Sequence, residues 1–312
     1  MFVLPENQKQ QLNPLFSRDL PSRVILWAYL QSRVPGITYV DDPSNPTFCV
    51  VVLEFHHISF VGWTTDPFDL AGAITEVLVE EQYLDIVWEE SFPFPKPALK
   101  FSDSFKRLEF FQLNEKVFQE TKRSAIGKGI PSPVDSSNFD WCESKSEHLL
   151  AFEIKENFLR NSFGILLTEE GKYVCDASAI FIGDGENSRY GDIQIVTRKE
   201  YRRQGYGLKV AGLLIEEMRA RGISPVWSCH KDNVASEGIA KRLGFVEGRE
   251  FEILCIDARP PFLKYWEKIM DQWGVTYESK DAAVAFLRSE YQLPRQVAHW
   301  LVMAYINVKS RA

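Results

Sequence analysis

Cysteine is scarce and unordered in this chain. Five of 312 residues are cysteine (Cys49, Cys142, Cys175, Cys229 and Cys255), an odd number without CxxC spacing. Neither a disulfide framework nor a zinc-ribbon arrangement is therefore expected, and reduced thiols in the cytoplasm are the simplest account. No stretch approaches the about eighteen consecutive apolar residues of a membrane-spanning helix. The opening MFVLPENQKQQ lacks a positive n-region and a long apolar h-region, so no secretory signal is expected. Excess positive charge is lacking too: the net charge is −7, and the acidic excess lies in the first half. This argues against general nucleic-acid affinity, because neutralising phosphates needs clustered Lys and Arg. His56-His57 is a tempting metal pair. Neighbouring strand residues face opposite sides, however, and no further ligand is spaced to join them, so no metal site is expected.

What is present suits a globular protein with large cores: 45% hydrophobic, 25% charged and 13% aromatic residues. The length allows two domains. Taken in order, residues 20–33 read as an amphipathic helix. Strands are expected at 36–40, 48–55 and 58–63, a helix at 69–83, and strands at 84–88 and 107–113. Pro93, Pro95 and Pro97 mark a loop over 91–104. Gly127, Gly129, Pro131 and Pro133 suggest a crossover near 122–134. A helix over 147–157 then precedes a hairpin, with strands 162–168 and 173–182 around Glu169-Glu170-Gly171. After residue 257 the character changes to three helices, 261–273, 279–291 and 294–308. Ser279 could cap the second, and Pro294 suits the first turn of the third. In the last, Val297, Trp300, Leu301, Ala304 and Val308 share one face.

The most informative stretch is GDIQIVTRKEYRRQGYGLKVAGLLIEEMRARG, Gly191 to Gly222. Ile193, Ile195 and Thr197 alternate as a strand does. Arg202-Arg203-Gln204-Gly205-Tyr206-Gly207 leads into apolar residues at helical spacing, from Leu208 to Met218, and Gly222 stands where a helix stops. A strand, a basic glycine turn and a helix make an anion-binding architecture, because first-turn amides have no intrahelical partner. A Walker loop is excluded, since Leu208-Lys209-Val210 follows Gly207 where GK[ST] would be needed. A dinucleotide GxGxxG is excluded because Val210 stands where its third glycine belongs.

What remains, Arg202-x-x-Gly205-x-Gly207, resembles the [QR]-x-x-G-x-[GA] cofactor signature of the GNAT superfamily of acyl-CoA-dependent N-acetyltransferases. Downstream, Asn233-Val234-Ala235-Ser236 and Lys241-Arg242-Leu243-Gly244-Phe245 resemble the family's N-x-A-S…K-x-G-F segment. The likeness covers roughly residues 125–256, and the whole chain looks most like a bacterial branch with a second, N-terminal α/β domain.

The resemblance implies an α/β mixed-sheet fold. Residues 1–121 would be a degenerate GNAT-like domain, 122–257 the acyl-CoA-binding domain and 258–312 a helical tail. It implies acetyl-CoA as cofactor, with its pyrophosphate on the amides of Arg203, Gln204, Gly205, Tyr206 and Gly207, and with Arg202 and Leu208 as further cofactor-binding residues. Its pantetheine arm would pair with the strand carrying Ile195, Val196 and Thr197, where adjacent strands splay. Asn233 and Ser236 would bond the arm or line the thioester. A neutral amine would attack the thioester, and a backbone N–H of that strand would hold the oxyanion.

A base must first remove a proton from the amine. Asp192 occupies the place where many relatives carry Glu, and His230 titrates in the right range. The bland readings, a solvated carboxylate and a loop histidine packed on Trp227, stay open. Many relatives place a Tyr acid where Ala240 stands, so another group or water must protonate the thiolate. Cys229 reads as a buried strand thiol. The N-terminal domain repeats the strand-to-helix junction over 58–69, but Thr64-Thr65-Asp66-Pro67 lacks the arginine and glycines. Loss of cofactor binding is expected there, leaving a recognition domain whose acidity suits a cationic amine or basic peptide. A homodimer through the N-terminal domain or the tail is left open. So are a non-catalytic acyl-CoA sensor and a protein- or tRNA-directed effector.

Overall fold

The structure is a computed structural model. It describes the chain apart from residues 54–57, 65–69, 82, 89–101, 125–128, 146–154, 258–261, 277–278, 292–297, 299–301, 303–304 and 307–312. The His56-His57 pair and the shared face read over 297–308 lie outside the described residues.

The first half comprises β1 (Phe2–Val3), a 3-10 helix (Glu6–Leu15), α1 (Arg23–Leu30), β2 (Gly36–Val40), β3 (Phe48–Leu53), β4 (Ile58–Trp63), α2 (Leu70–Glu81), β5 (Tyr83–Val87), β6 (Ser102–Leu113) and α3 (Glu115–Ser124). The second comprises β7 (Ile130–Pro133), α4 (Phe139–Glu143), α5 (Lys155–Asn161), β8 (Phe163–Glu169), β9 (Lys172–Asp184), β10 (Arg189–Thr197), α6 (Tyr206–Ala220), β11 (Ile223–His230), α7 (Val234–Arg242) and β12 (Phe245–Asp257). α8 (Phe262–Trp273) and α9 (Lys280–Tyr291) follow.

Local chemistry accounts for most of these bounds. β3 is apolar at six consecutive positions, all buried, because helices cover both of its faces. The β8–β9 hairpin turns through Glu170 and Gly171, both left-handed (φ 51° and 74°), the pair that a tight primed turn requires. α6 buries Leu208, Ala211, Leu214, Ile215 and Met218 on one stripe and ends at left-handed Gly222.

Some expectations change. α1 begins at Arg23 rather than residue 20, because the Ser22 amide donates to the Glu109 carboxylate (3.1 Å) and Ser22 turns left-handed (φ 54°). The 3-10 helix and α3 were not expected; both are mostly polar and bury few side chains, Lys9, Leu12 and Leu15 in the first and Phe118 in the second. β6 starts five residues early, inside the loop read over 91–104. Ser279 does not reach helix amides; its hydroxyl accepts from the Thr276 amide (2.8 Å).

Among the described residues the strands form one sheet, ordered β1-β2-β3-β4-β5-β12-β6-β11-β10-β9-β8-β7. The order reads the same from either edge. In the first half β4 runs parallel to β5, with α2 between them in sequence; in the second β10 runs parallel to β11, with α6 between. Each half therefore repeats the other's topology. Each also lends its last strand away: β6 pairs with β11, and β12 pairs with β5. The two exchanged strands meet in an antiparallel ladder from Phe245–Leu113 to Ile256–Ser102. α1 likewise crosses over, with Val24 and Trp27 packed against Gly183 of β9. One buried cluster accordingly spans both halves, from Val51 and Phe60 to Ile180, Phe181 and Val226.

The halves read as separate domains meeting at residue 121 thus form a single compact unit, Met1–Asp257. The second unit, Ala258–Ala312, has its own small core of Met270, Val284, Leu287, Ala298 and Val302.

Candidate active site

The β10–β11 ladder runs from Arg189–Ile223 to Ile193–Trp227 and stops, although both strands continue. Beyond that rung β10 stays with β9, and β11 turns to β6. A bulge between Asp192 and Ile193 accompanies the parting, adding local twist. Exposure follows the same boundary: Asp192 and Ile193 are buried, whereas Gln194, Ile195, Val196 and Thr197 are half-exposed. The strands thus splay at the expected residues.

α6 begins just above this gap. A 3-10 turn (Lys199–Tyr201) and left-handed Arg203 (φ 62°) and Gly205 (φ 88°) lead into its first residue, Tyr206. No side chain caps it, so its first-turn amides face outward. A Cβ on Gly205 would meet nothing within 4 Å, so the space before those amides is open. Gly207 is tighter: a Cβ there would lie 3.2–3.3 Å from Ile239, Ile195 and Thr197, so glycine lets α6 pack directly on the end of β10. The exposed turn is held from within. Arg202 Nε donates to the Thr197 carbonyl (3.0 Å) and Gln204 to the Glu200 carbonyl (3.1 Å). The buried Tyr206 hydroxyl donates to Glu169.

Asp192 points to the other face. Side chains alternate along a strand, and Asp192 is the rung partner of Val226, which belongs to the α1-side core; Ile193, Trp227 and Cys229 belong to the α6 side. Ser228, His230, Arg107 and Glu109 share the Asp192 face through the β11–β6 register. Burial pushes the Asp192 carboxyl up to about 7, against the opposing pull of the Arg107 charge and a hydrogen bond from Ser228. Ser228 Oγ donates to Asp192 Oδ1 (3.1 Å) and accepts from Arg107 Nη2 (3.0 Å). Asp192 is thus no solvated carboxylate. Glu109, 1% exposed, is held by Arg249 (2.8 and 2.9 Å) and by the Ser22 amide.

His230 stacks on Phe105 (centroids 4.4 Å apart, planes at 20°) rather than on Trp227. The covered ring face, and then the Arg107 charge, lower its pKa, so the imidazole is neutral at physiological pH. His230 lies four residues beyond Val226, roughly 13 Å along the strand from Asp192, so the two candidates do not form a dyad.

Across the gap, Asn233 Oδ1 caps α7 by accepting from the Ser236 amide (3.1 Å), and Ser236 Oγ accepts from Trp227 Nε1 (3.1 Å). Both side chains hold the wall of the gap together. Ala240 is fully buried, and Cys229 is a buried thiol whose pKa is raised by burial.

The first half has a corresponding parallel pair. Its β4–β5 ladder ends at Phe60–Val87. Counting from that last rung, Ser59 takes the place of Asp192 and the buried Trp88 that of Ser228. Gly62, just past the rung, has the Phe16 ring against it.

Ser228, Arg107 and Glu109 were not legible in the sequence as site residues. Two of them come from β6, which only the strand exchange brings to β11.

Comparison with known proteins agrees with this geometry. The family described as GNAT acetyltransferase matches residues 13–254. A Bacillus subtilis (strain 168) protein described as the uncharacterized N-acetyltransferase YdfB is 24% identical over 263 residues, spanning 81% of this chain and 98% of that one. A GCN5-related N-acetyltransferase-like protein from Streptococcus suis 89/1591 superposes with a TM-score of 0.61 at 19% identity, over 80% of this chain and 98% of that one. A GCN5-related N-acetyltransferase from Kribbella flavida superposes at 0.53 with 15% identity, over 80% and 99%.

Proposed function

The chain belongs to the GNAT acetyltransferase family, and from that premise we propose that it transfers the acetyl group of acetyl-CoA to an amine acceptor, with Asp192 as base. The observation that carries this reading is the parting of β10 and β11 beyond Ile193–Trp227, directly beneath an uncapped helix start.

The residues present fit such a cofactor. The open space at Gly205 and the first-turn amides of Tyr206, Gly207 and Leu208 suit a pyrophosphate, with the helix dipole adding favourable charge. Arg202 and Arg203 stand exposed beside it. The gap bounded by Ile195, Val196 and Thr197 on one side and by α7 on the other would take the pantetheine arm. When bound, acetyl-CoA supplies an activated thioester at the deep end of that gap.

There Asp192 would take the proton of the incoming amine. Its pKa near 7 leaves a substantial anionic fraction at neutral pH while making it a far stronger base than an ordinary carboxylate. Ser228 fixes one carboxylate oxygen. Ala240 offers no acid for the departing thiolate, but a thiol of pKa about 8.5 leaves without one. The acceptor is an amine on a small molecule or peptide, and the five free thiols suit a cytoplasmic setting.

A second reading, an acyl-CoA-binding sensor without turnover, draws on the missing acid at Ala240. Incubation with acetyl-CoA and an amine panel, following free thiol, separates the two. Acceptor-dependent thiol release supports transfer; tight cofactor binding with no release for any amine supports the sensor.

A further inference from the structure

We propose that Arg107 is a specificity residue that binds a carboxylate on the acceptor, so that the substrate is a small amino acid or amino-acid-like amine rather than a polycation. The proposal rests on the acetyl-transfer reading given above and narrows its acceptor.

Arg107 is a half-buried cation that makes no direct ion pair among the described residues; its charge reaches Asp192 through the shared Ser228 hydroxyl and acts on Glu109 at longer range. Its guanidinium has five N–H donors, and among the described residues one is used, Nη2 to Ser228 Oγ. Nε is buried with no hydrogen-bond partner. Of the neighbouring carboxylates, Glu109 takes the Arg249 fork and the Ser22 amide, and Asp192 meets Arg107 only through the Ser228 hydroxyl. Arg249, on the same face of the sheet, also donates to the carbonyls of Asp19 and Leu20. The contrast is informative, because a buried N–H donor left without a hydrogen-bond partner is costly and persists where a ligand completes it. A guanidinium fork matches a carboxylate bidentately.

Its place is equally specific. Arg107 lies on the Asp192 face of the sheet, opposite α6 and its phosphate-binding turn, so cofactor phosphates do not reach it. Arg107 Nη2 and Asp192 Oδ1 both bond Ser228 Oγ, at 3.0 and 3.1 Å, and so lie about 6 Å apart at most. An amine on Asp192 and a carboxylate on Arg107 would then be separated by roughly one or two carbons, each making a contact of ordinary length. His230 and Phe105, stacked beside Arg107, bound the same space. The acidic net charge of the chain suits a cationic acceptor; the unfilled donors of Arg107 beside Asp192 suit one that also carries a carboxylate.

The test titrates α-amino acids, and separately their carboxamides, into the CoA-saturated protein by calorimetry, and measures thiol release from acetyl-CoA with the same pairs. The acids should bind and be acetylated at least about tenfold better in kcat/KM than their amides. Arg107→Gln should raise KM for the acids about 100-fold, in the range seen when a buried charge pair loses one member, and for the amides by less than a tenth of that. Arg107→Lys should recover part of the loss. Equal use of acids and amides, no binding of any amino acid, or an equal kcat loss for both classes in Arg107→Gln would overturn the proposal; the last would make Arg107 a positioning residue for Ser228. Absence of CoA binding to the wild-type protein would instead sink the acetyl-transfer reading itself.

Discussion

Asp192 keeps its proton to neutral pH because burial outweighs both the Arg107 charge and the Ser228 hydrogen bond. Its folded pKa therefore stands above the ordinary value, which has two consequences of opposite sign. A base works when ionised, so kcat/KM should rise with pH through about 7 and then level. Asp192→Asn should lower kcat by about 10²–10⁴ and flatten that profile while leaving CoA affinity in calorimetry nearly unchanged. Full activity would remove Asp192 as base. Stability runs the other way: the proton bound by the folded state lends stability that is full below the ordinary carboxylate range and lost as pH rises through about 7. Asp192→Asn should then melt higher than wild type at pH 8 and lose that advantage at pH 4. Ser228→Ala removes a bond to the anion, raising the pKa further, so the rising limb of the rate profile should move to higher pH. Asp192 was named from the sequence through the family resemblance, which puts it where many relatives carry a Glu. Its partners were not, because Arg107 and Ser228 are 121 residues apart and no local pattern links them.

The β10–α6 junction was legible almost entirely, for the opposite reason. Arg202 to Leu208 are contiguous, and glycine spacing, basic charge and the onset of helical periodicity fall in one short window. Gly205 combines a left-handed backbone with open surroundings, which separates strain from occlusion. Gly205→Ala should cost about 1–2 kcal/mol through its backbone angle alone and retain CoA binding. Gly205→Glu, bearing a negative charge where a pyrophosphate would lie, should abolish binding in calorimetry; unchanged affinity would remove the turn as the cofactor site. Asn233 was read as a residue for the cofactor arm, yet its side-chain oxygen caps α7; one short polar side chain serves either role, and its spacing to Ser236 is the same for both.

For the whole molecule, the symmetric strand order and the exchange of β6 for β12 were out of reach of the sequence, since each exchanged strand reads as an ordinary last strand of its own half. The Glu109–Arg249 pair ties the exchanged strands together where Glu109 is buried. Arg249→Met should cost about 3–5 kcal/mol in urea unfolding, because it strands a buried carboxylate, and adding Glu109→Gln should recover much of that. A chain ending at Asp257 should melt cooperatively, since Met1–Asp257 is compact by itself; loss of its folding would show that the tail is required. The exchange also sets a timetable for synthesis. β5 is complete at Val87, but the strand that covers its far edge does not end until Asp257. At about 5–20 residues per second the ribosome leaves that edge without its native partner for roughly ten to thirty seconds, so a nascent first half should expose an unpaired strand edge until its own repeat arrives to close it.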